Sequence, residues 1–378
     1  MEFKAAVLFM PDGITRSKEK TPLMLQSVLF CPVLTWMVTE LRKSGIGRFF
    51  VVSDVSAQDM MRPYFPEDMD VTFVDGAKHG TELLKLLDGI EGRVVIVNGV
   101  VLPVGMFSGG AVYNAEASEC RKVLAEHGAF AAFPKDCQIM QGFLPVGDEE
   151  ELRASVPMCR QKIIEKHLAG GVQVLDSNSV YIDPRVEIGE GTVLLPGTIL
   201  RGNTKIGKDC TIGPNAMIRD CVIGDETEVN ASQLNESTVG KNTTVGPFAY
   251  VRPNSVIGDK VRVGDFVEIK NSVIGNGTKI SHLTYVGDTD CGERINFGCG
   301  TVTTNYDGFK KYRCTIEDDS FIGCNTNLIA PVKVGKGSYI AAGSTVTEDV
   351  PEDALAVARA HQVNKEAWAA KRREKNKK

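Results

Sequence analysis

The chain has 378 residues, of which 43% are hydrophobic and 24% charged, and its formal net charge is -5. This composition is typical of a globular protein that is long enough for two domains with separate cores. The acidic balance argues against a nucleic-acid partner, and the basic run at 371–378 is typical of a solvated chain end. The sequence contains no signal-peptide pattern and no apolar run of about 18 residues, so we expect a cytoplasmic protein with no membrane partner.

The first 150 residues alternate short apolar runs with helix-like stretches. The runs at 5–9, 48–53, 71–74 and 93–97 are rich in Val and Phe, which suits buried parallel strands. Helix-like stretches, among them 32–44 and 82–87, lie between these runs. The alternation predicts an α/β domain over 1–150, with an open parallel sheet and flanking helices.

A connecting helix is predicted over 151–171, with an interruption near Pro157 and an end at Gly170 and Gly171. A six-residue unit then repeats, beginning I-G-E-G-T-V, L-L-P-G-T-I, L-R-G-N-T-K. A repeat this short predicts a parallel β-helix over 172–350, in which each coil buries its core only by stacking on its neighbours. The aliphatic residues that open the first units are expected to point inside: Ile188, Leu194, Leu200, Ile206 and Ile212. A tail over 351–378 follows, with a short helix around Trp368.

Ten cysteines are scattered along the chain, with no C-x-x-C pair and no cluster of zinc-binding spacing. We expect reduced packing cysteines, no disulfide framework and no bound metal. The repeat itself is interrupted at 304–312 by T-N-Y-D-G-F-K-K-Y, which is too irregular for a coil. Insertions of this kind on solenoids commonly carry function, so we expect a projecting functional loop.

The N-terminal domain resembles the sugar-nucleotide pyrophosphorylases of the nucleotidyltransferase type, through its strand, its loop with Thr15 and Arg16, and the following Pro22. Those enzymes have a glycine-rich loop, a lysine soon after the proline and an aspartate that holds magnesium. Here the loop reads L-F-M-P-D-G-I-T-R-S, Leu23 stands at the lysine position and Asn98 at the aspartate position. The resemblance therefore implies a retained Rossmann-like scaffold with an inactive uridyltransferase site.

The C-terminal half contains V-G-D-F-V-E-I-K-N-S, I-S-H-L-T-Y-V-G-D, I-N-F-G-C-G-T-V-T-T-N-Y-D-G and I-A-P-V-K-V-G-K-G-S-Y-I-A-A-G. From about residue 160 to 378 it resembles the acetyltransferase half of the bifunctional N-acetylglucosamine-1-phosphate uridyltransferase/glucosamine-1-phosphate acetyltransferase. The resemblance implies a left-handed parallel β-helix. It also implies a cytoplasmic homotrimer that transfers acetyl from acetyl-CoA to glucosamine 1-phosphate, without a metal, for UDP-N-acetylglucosamine and cell-wall precursor synthesis.

This chemistry requires a base near neutral pKa, fixed charges for a phosphate, and hydrogen-bond donors for a developing oxyanion. By position in the family's motifs, His282 is the general base and Arg252 and Lys270 contact the phosphate. Tyr285, Asn296 and Lys311 match further substrate contacts. Glu268 lies two residues before Lys270, so in a strand it shares the lysine's face and is a candidate partner for it.

The remaining positions match the acetyl-CoA site of the family. They are Asn305 and Tyr306 in the loop, then Ala342, Arg359 and Lys365. Two positions depart from the family: Cys299 replaces an alanine and Cys324 replaces a serine. The second change loses a hydroxyl donor, so we expect slower or altered acetyl transfer.

Other interpretations remain open at this point. The first alternative is a bifunctional enzyme that keeps uridyltransferase activity. The second is an acetyltransferase for another hexosamine 1-phosphate. The third is a non-catalytic regulatory protein that binds a sugar nucleotide. A single hydroxyl contact would separate the hexosamine epimers, and the sequence does not identify it.

Overall fold

A computed structural model describes residues 2–10, 21–105, 111–130 and 132–376. It divides the chain into two compact units, Met1–Thr204 and Lys205–Lys378. No helix within these described ranges is long and apolar enough to cross a membrane.

The first unit is built on a six-stranded sheet. Its strands, in spatial order, are Asp70–Asp75, Arg48–Ser53, Phe3–Phe9, Arg93–Asn98, Val112–Glu116 and Gln138–Ile139. The first four are parallel, which confirms the strands and the parallel pairing expected from the apolar runs. The last two are antiparallel additions at one edge. Short paired strands lie outside this sheet: Ser27–Val28, Cys31–Pro32, Val101–Pro103 and Phe143–Pro145.

Four helices connect the strands: α1 (Val33–Lys43), α2 (Val55–Met61), α3 (His79–Leu86) and α4 (Ala117–His127). Helices α3 and α4 cover one face of the sheet, where Leu83 and Leu124 join Val7, Phe50 and Ile96 in one buried cluster. This burial is the main stabilising contribution to the α/β core.

Helix α5 (Glu149–Ala169) runs without a break through Pro157, so the predicted interruption there is wrong. Its start is fixed by Asp148, whose carboxylate accepts hydrogen bonds from the backbone N–H groups of Glu150 and Glu151, both at 2.9 Å. Buried side chains lie both before and after the proline. Their packing offsets the roughly 3 kcal/mol that a proline costs inside a helix.

The hexapeptide repeat begins in the first unit. Its strands there are Gln173–Val174, Tyr181–Ile182, Glu187–Ile188, Val193–Leu194 and Ile199–Arg201. Leu194 and Leu200 are fully buried, as are Ile206 and Ile212 of the second unit, whereas Ile188 is only half-buried. A residue near the end of a solenoid has fewer neighbouring coils to cover it.

The second unit continues as a prism of three parallel sheets, the left-handed parallel β-helix that the repeat and the motifs predict. The first sheet contains Thr211–Ile212, Glu228–Val229, Thr244–Val245, Arg262–Asp265, Lys279–His282, Asn296–Phe297, Phe321–Ile322, Tyr339–Ile340 and Leu355–Ala356. The second contains Met217–Arg219, Gln233–Asn235, Tyr250–Val251, Glu268–Lys270, Tyr285–Gly287, Val302–Thr304, Asn327–Ile329 and Thr345–Val346. The third contains Lys205–Ile206, Val222–Ile223, Thr238–Val239, Val256–Ile257, Val273–Ile274, Thr289–Cys291, Cys314–Ile316 and Lys333–Val334.

Each coil buries one aliphatic residue per strand and a small Thr, Ser, Cys or Ala at the corner. The segment 305–313 leaves this pattern between the second and third sheets, and Phe309 at its tip is 92% exposed. The interruption of the repeat is therefore a projecting loop, as expected. Helix α6 (Trp368–Lys375) forms in the tail around Trp368.

Candidate active site

One corner of the second unit carries a column of residues that occupy the same place in successive coils. Asp265 and His282 are register partners on neighbouring strands. Cys299, Cys324 and Ala342 follow at the same position in the next coils, two residues beyond paired strand residues. We call these five residues the corner column. Because strands of a sheet lie about 4.8 Å apart, the column from His282 to Ala342 is about 14 Å long.

The first two residues of the corner column, Asp265 and His282, form a hydrogen-bonded pair. His282 Nδ1 lies 3.0 Å from Asp265 Oδ1. The hydrogen bond from His282 lowers the pKa of the Asp265 carboxyl, so this group is ionised and only accepts. The proton of the neutral imidazole is thereby placed on Nδ1, and Nε2 keeps a lone pair directed away from the aspartate. His282 is more than half exposed, so that lone pair is accessible to a substrate.

Large apolar side chains flank the column. Phe248, Phe266 and Leu283 occupy the next corner position in successive coils, with positive φ angles of 59°, 57° and 39°. Each is about 60% exposed, and the two phenyl rings stack at 5.6 Å. Positive φ recurs at corners along the whole prism, where Asn and Asp are the most frequent residues and bulky apolar side chains are uncommon.

The outer face of the second sheet carries the candidate phosphate contacts. Arg252 Nη1 donates to Glu268 Oε1 at 2.8 Å, and this hydrogen bond raises the pKa of the guanidinium. The expected pairing of Glu268 with Lys270 is therefore wrong. Residues two apart in a strand are separated by more than 6 Å, whereas a neighbouring coil lies about 4.8 Å away.

Lys270 instead pairs with Asp288 of the next coil, Nζ to Oδ2 at 2.9 Å. Asp288 is only 5% exposed and also accepts from the side-chain amides of Asn271 and Asn305. Burial raises the pKa of Asp288, but these hydrogen bonds outweigh it and the net shift is downward. Burial lowers the pKa of Lys270, and the contact with Asp288 more than restores it. The pair is therefore charged on both sides.

The projecting loop completes this cluster. Asn305 Nδ2 lies 3.5 Å from the Tyr285 hydroxyl, and the side chain of Lys311 interacts with that of Lys270. Tyr306 and Lys311 form the bridge that closes the loop. Lys270, Lys311, Tyr285 and Asn305 thus converge as donors on one patch, although they come from two coils and a loop.

Three predicted residues lie elsewhere. Asn296 is on the first sheet, in register with Lys279 and Phe321, and is not brought to the patch around Lys270 within this chain. The Arg359 side chain passes 3.7 Å from where a Cβ on Gly343 would lie, which places it at the far end of the corner column. Lys365 lies in the exposed segment before α6 and, among the described contacts, does not reach the column.

The sequence did not lead us to two residues of the candidate site, Asp265 and Asp288. Asp265 precedes its partner His282 by 17 residues, and Lys270 precedes Asp288 by 18. Each interval corresponds to one coil, which is 18 residues for three complete hexapeptides and one residue shorter between Asp265 and His282. A search for opposite charges one coil apart would have found both residues.

The N-terminal unit has a cavity at the carboxyl ends of its parallel strands, lined in part by Phe9, Ser53, His79 and Asn98. Ligands of open α/β sheets bind at this edge. Among the described residues that line the cavity, none is Lys or Arg; Asn98 brings no carboxylate, and the one carboxylate there is that of Asp54. Leu23, at the family's lysine position, is buried. Pro11, Gly13, Thr15 and Arg16 of the loop lie outside the described residues.

Gly80 has a packing role in the fold of the N-terminal unit. Gly80 lies in α3, and a Cβ there would come 1.6 Å from the carbonyl oxygen of Gly128. Only glycine permits this approach of α3 to the end of α4. Within the described ranges, no three His, Cys, Asp or Glu side chains form a group that could hold a metal ion.

Comparison with known proteins shows what parts of the chain are similar to. Residues 176–282 match the family model described as GMPPB C-terminal domain, and residues 313–348 match bacterial transferase hexapeptide repeats. The bifunctional protein GlmU of a Geobacillus strain is 53% identical over 223 residues, which is 59% of this chain and 49% of that protein. Over this length the chain is similar to GlmU. The GlmU of Caldanaerobacter subterraneus is 54% identical over 227 residues, 60% of this chain and 50% of that protein.

The chain thus spans about half the length of the GlmU proteins it matches. Solved structures with similar coils include a UDP-N-acetylglucosamine acyltransferase from Arabidopsis, at 18% identity and a TM-score of 0.32, covering 47% of this chain and 69% of that one. The corresponding enzyme from Campylobacter jejuni has 19% identity and a TM-score of 0.30, covering 54% of this chain and 79% of that one.

Proposed function

We propose that this chain is an acetyl-CoA-dependent N-acetyltransferase that acts on the amine of glucosamine 1-phosphate. The observation that carries the proposal is the Asp265–His282 pair at one end of the corner column, beside a cationic patch. The homology to GlmU over the matched length supports the same reaction.

In the proposed reaction, the substrate amine attacks the thioester carbonyl of acetyl-CoA. His282 Nε2 takes the amine proton, and Asp265 holds the imidazole in the tautomer that this requires. The carbonyl oxygen gains negative charge and needs donors, which the main chain at Cys299 and the Cys324 side chain would supply. The C–S bond then breaks, and coenzyme A leaves with the proton.

The sugar phosphate would bind where Lys270, Lys311 and Arg252 converge. Lys270 and Arg252 already have carboxylate partners, which fix the two cations in position before the substrate arrives. Tyr285 and Asn305 would add neutral donors. Asn296 and Glu268 remain proposed substrate contacts, with Glu268 acting through Arg252.

The acyl donor would lie along the corner column. Its length of about 14 Å suits an extended thiol arm that starts beside His282. Arg359 stands at the far end, where the phosphates of coenzyme A would need positive charge. Tyr306 and Lys365 are proposed to contact the same donor.

We further propose that the active form is a homotrimer. The ridge formed by Phe248, Phe266 and Leu283 is exposed in the single chain and lies beside the catalytic pair. A self-association surface would cover it and would bring a second chain to the site. Phe266→Asp should yield monomers by light scattering and lose activity, whereas Val55→Asp, on exposed α2, should remain trimeric.

The N-terminal unit is proposed to lack uridyltransferase activity. The described residues that line its cavity include no Lys or Arg, and Leu23 is buried where the family has a lysine, which supports this. Incubation with UTP, magnesium and N-acetylglucosamine 1-phosphate should release no pyrophosphate. Release at a rate matching acetyl transfer would establish the bifunctional alternative.

The acetyltransferase proposal is tested by thiol release from acetyl-CoA with three acceptors. Glucosamine 1-phosphate should react much faster than free glucosamine, because the cationic patch needs a phosphate. Galactosamine 1-phosphate, the third acceptor, tests whether the site distinguishes the two hexosamine epimers. Equal rates with and without the phosphate group would contradict the proposed substrate site.

A further inference from the structure

Two of the ten cysteines, all of which lie within the described residues, are exposed: Cys299 and Cys324. They occupy successive places in the corner column. Their strands pair in register through Phe297 and Ile322, and the backbone N–H of Asn325 donates to the carbonyl of Cys299 at 2.8 Å. The two thiols therefore project from the same corner of adjacent coils.

Glycines bring these coils close together. A Cβ built on Gly298 would lie 2.4 Å from the backbone nitrogen of Cys324, so the backbones of the two coils are in direct contact there. In-register residues of neighbouring strands have Cα atoms about 4.8 Å apart, which falls inside the range of about 4.4–6.8 Å found for disulfides. The Cα separation of the pair thus permits a disulfide.

The buried thiols are unsuited to this chemistry. Burial raises the pKa of Cys31 and of Cys120 to about 12, and that of Cys159 to about 11. Thiol–disulfide exchange needs an accessible thiolate. Among the described cysteines, reactivity is therefore expected at the exposed pair and not at the seven buried thiols; Cys137 is half-buried.

We infer that Cys299 and Cys324 form a redox-active dithiol that low-molecular-weight disulfides convert to an intramolecular disulfide. One protein thiolate attacks the small disulfide, whose S–S bond breaks and releases one small thiol. The second protein thiolate attacks the resulting mixed disulfide and releases the other. Two protein thiols are oxidised and one small disulfide is reduced to two thiols.

The consequence for activity rests on the proposed function. The disulfide would fill the corner column between His282 and Ala342, where the acyl donor is proposed to lie. It would also remove the Cys324 S–H from that site. Because the bond is exposed, small thiols should reduce it again, so the loss of activity is reversible. Coenzyme A disulfide is the small disulfide that this groove should recognise.

The full chain is incubated with coenzyme A disulfide or with glutathione disulfide, and then analysed by free-thiol titration, intact mass and peptide mapping. The expected result is the loss of two thiols per chain and a cross-link that joins the peptides holding Cys299 and Cys324. Cys137→Ala should lose two thiols in the same way. Cys299→Ala and Cys324→Ala should each retain a small thiol as a mixed disulfide.

A wild-type chain that keeps both thiols, or that accumulates mixed disulfides at both cysteines without the cross-link, would overturn the inference. The number of free thiols is measured without acetyl transfer, so this result is independent of the proposed function. Faster cross-linking by coenzyme A disulfide than by glutathione disulfide would support coenzyme A binding in the groove. Equal rates with a complete cross-link would support the dithiol and count against coenzyme A binding in the groove.

Discussion

Asp288 is the residue whose replacement separates the structural and binding roles of the cationic patch. Its carboxylate is 5% exposed and accepts from Lys270 and from the amides of Asn271 and Asn305. Asp288→Asn keeps the size of the side chain. It also suits the backbone, because Asp288 has a φ of 49° and Asn tolerates the left-handed region. The change removes only the charge and one acceptor.

The expected cost is about 3 kcal/mol of unfolding free energy, since the Lys270 ammonium loses its partner in a site that is 16% exposed. The depressed pKa of Asp288 gives stability that is present at neutral pH and is lost as pH falls through that pKa. The variant should therefore lose less stability than the wild type on acidification. Urea unfolding of the second unit at two pH values measures both effects.

The same variant should raise KM for the amino-sugar phosphate about tenfold with little change in kcat, because Lys270 and Asn305 lose their fixed positions. The matched control is Asp209→Asn, which also has positive φ but is exposed, and which should stay within about 0.5 kcal/mol of wild type. A stability loss equal to that of the control, or a fall in kcat at constant KM, would refute the reasoning.

Three further predictions concern single residues. Asp265→Ala should lower kcat about tenfold at constant KM. Asp265→Asn should retain most of the wild-type kcat, because the amide oxygen still accepts from His282. Equal losses of kcat in the two variants would show that Asp265 does not act by orienting His282. Gly287→Ala places a Cβ 2.3 Å from the Tyr285 hydroxyl. The ring can swing away, so stability should change little while KM for the sugar phosphate rises, and unchanged kinetics would remove Tyr285 from the site. His167 is buried with its pKa lowered to about 4, chiefly by burial. The unfolded state binds more protons below the ordinary pKa, so stability of the first unit should fall by roughly 2 kcal/mol between pH 7 and pH 5. His167→Gln should reduce that dependence in denaturant titrations, and an unchanged pH profile would contradict the assignment.

The sequence predicts the fold well because both halves follow strong periodicities. Buried Val-rich runs identify the parallel strands around Val7 and Ile96, and the hexapeptide period identifies the coils. The course of α5 through Pro157 could not be predicted, since it depends on tertiary packing that outweighs the local cost of proline.

Motifs identified the residues of the candidate site but not their partners. Glu268 was expected to pair with Lys270 on its own strand, yet contacts in a β-helix run between coils. Asp265 and Asp288 were missed for the same reason, because their roles depend on the register of neighbouring coils and not on local spacing. The exposed thiols of Cys299 and Cys324 likewise become a pair only when the coils stack.

The central claim is that His282 is the general base of an acetyl transfer, and one comparison tests it most directly. Thiol release from acetyl-CoA with glucosamine 1-phosphate is measured for wild type, His282→Ala and the exposed control His127→Ala. The account predicts wild-type turnover, no change in the control, and a loss of about 100-fold to 10,000-fold in His282→Ala. A His282→Ala protein that retains wild-type kcat would contradict it.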